Sequence, residues 1–206
     1  MIPSDVPPIL LRLRHRPLLA GLVVPFITAR TPDGRYRFGA VDAGRAAMAL
    51  HRRWCQICGQ PLQDRCVFAM RDRDLDRRIA PEAAMHPECL HYSLTACPML
   101  AGRMDHYRTS GNAELFASIG IVLGDPDGRR AGKPAERWNT VWTRGYTVIT
   151  DLGTNLPAAL LLPDRIVRVR PIAAPHPAPI TCGERQHART THPPVVHRDE
   201  RPEVTL

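Results

Sequence analysis

WCQICGQPL (54–62) sets Cys55 and Cys58 two residues apart, ahead of Gly59 and Pro61. Such a pair is a redox couple, half of a disulfide framework or half of a metal site. A thioredoxin-like couple needs its first cysteine at a helix N-terminus, where the thiolate is stabilised. Here Gly-Gln-Pro follows Cys58 and turns the chain instead. A disulfide framework requires an oxidising compartment, which the N-terminal sequence argues against below. The metal reading needs two more ligands, and MHPECLHYSLTACPML (85–100) supplies His86 and Cys89. Three apart on a helix expected over 86–97, with Pro87 in its first turn and Pro98 closing it, both side chains point the same way. Cys55, Cys58, His86 and Cys89 make a Cys3His set that suits one structural, tetrahedral Zn²⁺ per chain with no open position. Three thiolates leave that site at net −1, which a helix N-terminus and Arg52 and Arg53 can offset.

The other cysteines and histidines fit the site less well. Cys97 lies eight residues beyond Cys89, roughly 12 Å along a helix, and shares a face with Leu90 and Leu94 as a core thiol. His91 points away from Cys89, toward solvent. Cys66 is the one substitute ligand that the spacing allows. Cys182 and His187 sit in a C-terminal tail.

Upstream, DAGRAAMALHRRW (42–54) reads as a helix that Asp42 caps and that delivers the chain to Cys55, with Ala43, Ala46, Ala47, Leu50 and Trp54 on one face. Residues 1–41 read as strands and turns, with VVPFITA (23–29) as a buried strand before the turn TPDGR (31–35). The run 11–29, LRLRHRPLLAGLVVPFITA, has some signal-peptide character: Arg12, Arg14 and Arg16 precede an apolar stretch. That stretch is too short to span a bilayer, which takes roughly 20 residues, and Pro17 and Pro25 interrupt it. A cytoplasmic protein without a membrane role is expected. Downstream, WNTVWTRGYTVIT (138–150) reads as one strand, and DRIVRVRPI (164–172) alternates Ile166, Val167 and Val169 with Arg165, Arg168 and Arg170, a solvated pattern.

From 173 to 206 the sequence is Pro-, His- and Arg-rich without periodicity, so this segment is expected to be a disordered tail. Residues 1–172 are expected to form a single zinc-stabilised domain of α+β class, with the zinc core at about 42–100 and further β-strands around it. The 206 residues carry 21 prolines and 5% aromatics, so the core must be mostly aliphatic. Net charge is +8, yet Lys133 is the single lysine among 28 basic residues, the signature of Arg-codon preference in a GC-rich genome. Charge alone therefore does not decide for an acidic partner.

Knuckle, then a β-hairpin from RCVFAMRD (65–72) onward, then a helix carrying the second ligand pair, resembles the treble-clef zinc finger. VVPFITA, WCQICGQPL, MHPECLHYSLTACPMLAGR, WTRGY and RVRPI together resemble an uncharacterised zinc-knuckle family of actinobacteria and their phages, which implies a shared scaffold and no established activity. The same layout resembles the HNH nucleases, which place a general-base histidine on the hairpin beside a catalytic cation. Residues 59–85 contain no histidine, and Asp72, Asp74 and Asp76 of RDRDLDRR alternate with arginines like a solvated loop. The expectation is a non-enzymatic binding protein that contacts nucleic acid weakly through Arg45, Arg52, Arg53, Arg129 and Arg130. A protein-interaction module is the alternative, and a degenerate nuclease the second.

Overall fold

Ala20 and Gly21 both have positive φ, 51° and 78°. Two left-handed residues in succession match the twist of a two-residue hairpin. They join β1 (Leu18–Leu19) to β2 (Leu22–Val23) in an antiparallel ladder. These coordinates come from a computed structural model that describes residues 7–109, 116–123 and 130–172; the expected tail at 173–206, with Cys182 and His187, lies outside them. Leu13, Val23, Val24, Ile27 and Ala29 are buried. The later part of the apolar stretch of signal-peptide character is thus packed into the fold, while Leu18 and Leu19 stay exposed. No helix among the described residues is long and apolar enough to cross a membrane.

The expected strand at 23–29 shrinks to β3 (Thr28–Arg30), which pairs with β4 (Tyr36–Val41) across the turn at Gly34. α1 (Ala43–His51) starts where Asp42 accepts a hydrogen bond from the Arg45 amide at 3.0 Å. Ala43, Ala46, Ala49 and Leu50 form its buried face. Ala47 is only half-buried. The helix stops short of the knuckle because Arg53 takes a left-handed φ of 52°, after which Trp54 bridges Pro61.

β5 (Cys66–Arg71) is buried at every position. Such a strand has core on both faces, so its sequence shows no polar alternation. Cys66, Phe68 and Met70 join a cluster with Leu50, Val141 and Tyr146. Val67 and Ala69 face the opposite cluster, which contains Leu13, Cys55, Cys58, Cys89 and Trp138. The chain then runs through α2 (Asp72–Arg77), β6 (Ile79–Ala80) and α3 (Pro87–Ala96). The expected hairpin is not the dominant pairing here. β5 pairs with β7 (Trp138–Thr143), β6 pairs with β9 (Leu156–Leu160), and a single bridge, Val67 to Met85, links the two sides of the intervening segment. Long-range partners displace the local one because β5 can be covered on both faces only inside a sheet.

The predicted strand at 138–150 is two strands. β7 ends at Thr143, and β8 (Thr147–Asp151) turns into a different sheet against β9. Gly145 sits at the break, where a Cβ would approach Arg165 Nη1 to 3.2 Å. β10 (Ile166–Pro171) pairs with β7, giving the order β10-β7-β5, and is exposed from Val167 onward. The other three-stranded sheet has the order β6-β9-β8. The result is a mixed α+β fold of several small sheets around two main apolar clusters and a smaller one of Ala29, Ala40 and Phe116.

Candidate metal centre

The ligand set begins with a backbone device. The Cys55 amide donates to Gln60 O and the Gly59 amide donates back to Cys55 O, each at 2.8 Å, which closes a tight loop around the first two cysteines. Gly59 has φ +74°, and a Cβ there would meet Phe26 Cδ2 at 2.8 Å. Gly59→Ala should therefore cost about 2–4 kcal/mol, from left-handed strain plus the clash, read as a shift of the urea midpoint. The Gln60 amide points at Cys58 Sγ, 3.5 Å away, as a donor to a thiolate.

The second pair comes from the start of α3. His86 is the cap residue in extended conformation, one position outside the helix expected at 86–97, and Cys89 lies in the first turn. His86 Nε2 donates to Pro61 O at 2.9 Å. A carbonyl can only accept, so Nε2 carries a proton, and in the neutral ring the Nδ1 lone pair is left for a ligand role, oriented as metal-binding imidazoles are. Nδ1 lies 3.4 Å from Cys58 Sγ and 4.0 Å from Cys89 Sγ. The ligand atoms of Cys55, Cys58, His86 and Cys89 all fall within 4.8 Å of one another, and all four residues are buried.

So tight a group cannot carry its preferred charges independently. Hydrogen bonds from Cys55 and Cys89 hold Cys58 far below the usual thiol range, and hydrogen bonding to Cys55 and then to Cys58 pushes Cys89 up. Hydrogen bonding to Cys55 and Cys58 raises His86 to about 10. Three thiolates and a neutral imidazole can coexist at this spacing only around a cation, and a soft-to-borderline one matches the donor atoms. The four residues can hold one metal ion.

An N-terminal arm completes the surroundings. Arg12 Nε donates to Glu88 at 2.7 Å and Arg12 Nη1 donates to Gln60 Oε1 at 2.9 Å, tying the knuckle to the first turn of α3. His15 Nε2 donates to Cys58 O at 2.9 Å. The arm's role is hidden in the sequence because its arginines precede an apolar run, as a targeting segment's do. Charge compensation is expected from a helix N-terminus together with Arg52 and Arg53. Arg52 instead lies over Trp54, 5.5 Å from the ring centre, and Arg53 over Tyr146 at 4.8 Å.

The substitute ligand drops out. Cys66 belongs to the cluster on the other face of β5, outside the four-residue group, and burial pushes its thiol up to about 11. The unfolded thiol, near 9, ionises first as pH rises. Cys66 therefore leaves stability unchanged below about pH 9 and removes about 2–3 kcal/mol between there and about pH 11. Urea titrations of wild type against Cys66→Ala should show that extra alkaline slope only in the wild type. Cys97 caps the C-terminus of α3 half-buried, and His91 is exposed.

RDRDLDRR is not a solvated loop. Most of it is α2, and Asp74 is buried against Arg71, whose Nε and Nη2 donate at 2.5 and 3.1 Å. Asp72 accepts from Arg137 at 2.8 Å and from Asn139 at 2.7 Å. Only Asp76 is exposed among the three. Asp72 and Asp74 are already engaged by cationic and amide donors. Alternating charges misled because burial in a short helix depends on what packs over it.

The arginines expected to form one surface are dispersed among other contacts. Arg45 reaches Asp42 at 3.9 Å, Arg130 reaches Glu82 at 3.7 Å, and Arg129 lies outside the described residues. No protein-family model, curated protein or solved structure matches this chain.

Proposed function

We propose that this chain is a zinc-stabilised, non-enzymatic binding module of treble-clef type, acting on nucleic acid in a reducing, cytoplasmic setting. The observation that carries the reading is the buried Cys3His group built from a knuckle and a helix start. Zn²⁺ matches three sulfurs and one nitrogen in a closed set, and closure leaves no position for a reacting water. The single Val67–Met85 bridge stands where a treble clef has its hairpin, with the strand-to-strand pairing extended to distant partners. Net charge of +8 supports an acidic target. The chain fits with the zinc-knuckle proteins of actinobacteria and phages that its motifs resemble.

The test has two parts. Elemental analysis of purified protein should give one zinc per chain, lost in Cys55→Ser plus Cys89→Ser. Binding to random DNA and RNA should be measurable at low salt and fall steeply as salt rises, with no cutting of plasmid in Mg²⁺ or Mn²⁺. Zinc present but no nucleic-acid binding at any salt selects the protein-interaction reading. That reading is favoured by the exposed apolar side chains of Leu11 and Leu18, 78% and 54% exposed.

A further inference from the structure

Five of the arginines without acidic partners lie along one sheet. Arg65, Arg144, Arg165, Arg168 and Arg170 are exposed, and none has a carboxylate partner among the described residues. They border the β10-β7-β5 sheet. Arg65 precedes Cys66, which pairs with Thr143; Thr143 pairs in turn with Ile166, and the Arg144 amide donates to Arg165 O at 3.0 Å. Two guanidiniums converge at this end. A Cβ on Gly145 would lie 3.2 Å from Arg165 Nη1 and 3.8 Å from Arg53 Nη1. Like charges held this close without an acid between them favour an incoming anion.

Beside the cluster is a groove of about 210 Å³ lined by Arg65, Trp142, Thr143, Val167 and Arg168. Trp142 is half-buried, and its cross-strand neighbours are Val67 on one side and Arg168 on the other. An aromatic face flanked by unpaired arginines is the arrangement that stacks a base while its phosphates are held.

We infer that this groove binds single-stranded nucleic acid, with one base stacked on Trp142 and the backbone held by Arg65, Arg168 and the Arg53–Arg165 pair. The inference rests on the nucleic-acid reading above and replaces its surface, since Arg45 and Arg130 are tied to Asp42 and Glu82. A single strand is favoured over a duplex because only an unstacked base offers a π-face to the indole. The groove does not distinguish ribose from deoxyribose. Its one hydroxyl, on Thr143, is within 2.7 Å of Gly145 O and 3.0 Å of Arg165 O as a donor and accepts from the Gly145 amide at 3.2 Å.

The experiment is fluorescence anisotropy with labelled oligo-dT and oligo-rU, using zinc-loaded full-length protein at about 50 and 200 mM salt. Wild type should bind both strands with similar affinity, and more tightly than duplex. Arg65→Glu with Arg168→Glu should weaken binding more than about tenfold and flatten the salt slope by about 1.4, the value for two lost phosphate contacts on a single strand. Trp142→Leu should weaken it about 5- to 100-fold, and Trp142→Phe should restore most of the loss. Melting curves matching wild type show that each variant is folded; if Trp142→Leu melts early, the Phe variant and the exposed arginine pair carry the test. Wild-type binding that survives the double arginine change overturns the groove while leaving nucleic-acid binding intact. No wild-type binding at low salt overturns both readings. Displacement of the oligonucleotide by polyglutamate of equal charge at equal affinity also overturns the groove, because stacking would then contribute nothing.

Discussion

Cys55→Ser combined with Cys89→Ser should abolish cooperative unfolding, with the loss of zinc from the purified protein. Structural zinc sites contribute apparent binding energies of about 10–16 kcal/mol, as large as the whole stability of a typical domain, about 5–15 kcal/mol. The location of the proposed site is the reason to expect this coupling. Cys55, Cys58 and Cys89 share a cluster with Leu13, Val67, Tyr92 and Trp138, so the proposed ligands are members of one of the main apolar clusters. The Tyr92 hydroxyl, within that cluster, accepts from the Val23 amide at 2.9 Å, which ties α3 to the N-terminal hairpin. Loss of the metal would leave mutually repelling thiolates inside the packing. A strong chelator should have the same effect as the double substitution, followed by circular dichroism on heating. Cys97→Ser, at the half-buried end of α3, should keep both zinc and the melting temperature. A chelated protein that melts as before would show that the apolar cluster holds without the ion.

The second large effect should come from Asp74→Ala. Asp74 and Arg71 have side chains only 6% exposed each and meet at 2.5 Å. Glu136, 3.7 Å from Arg71 Nη1, is the next carboxylate and cannot replace the bidentate contact. Removing one partner of a buried ion pair strands the other charge, which costs about 3–5 kcal/mol. Chemical denaturation should show that loss for Asp74→Ala, against less than about 0.5 kcal/mol for Asp76→Ala on the exposed side of the same helix. Arg71→Met with Asp74→Leu should recover most of the loss, since an apolar pair of similar volume avoids the desolvation penalty. The result also bears on the nuclease alternative. A well-folded Asp74→Ala protein that had lost a metal-dependent cutting activity would make the carboxylate catalytic instead of structural.

Local chemistry was readable wherever the chain makes its own structure. Asp42 marks the start of α1 because a carboxylate satisfies free amides at a helix N-terminus. Cys-x-x-Cys followed by Gly59 gives the knuckle, because a left-handed residue is what turns the loop back. Pro87 places the start of α3, and with it the spacing of His86 and Cys89. Those features pointed to the α+β class and to the four Cys and His side chains that the fold brings together and that could hold a metal ion.

Tertiary structure alone decided the rest. Nothing local shows that β5 pairs with β7, more than sixty residues later, in preference to its neighbour, because strand pairing is chosen by which faces can be covered. The same holds for charge. Arg71 and Arg168 are alike in sequence, each in a run of alternating arginines. One is buried against Asp74 and the other stands exposed beside Trp142 with no acid partner among the described residues. A guanidinium's role is set by the carboxylate or solvent it faces, and the fold supplies that partner through contacts distant in sequence.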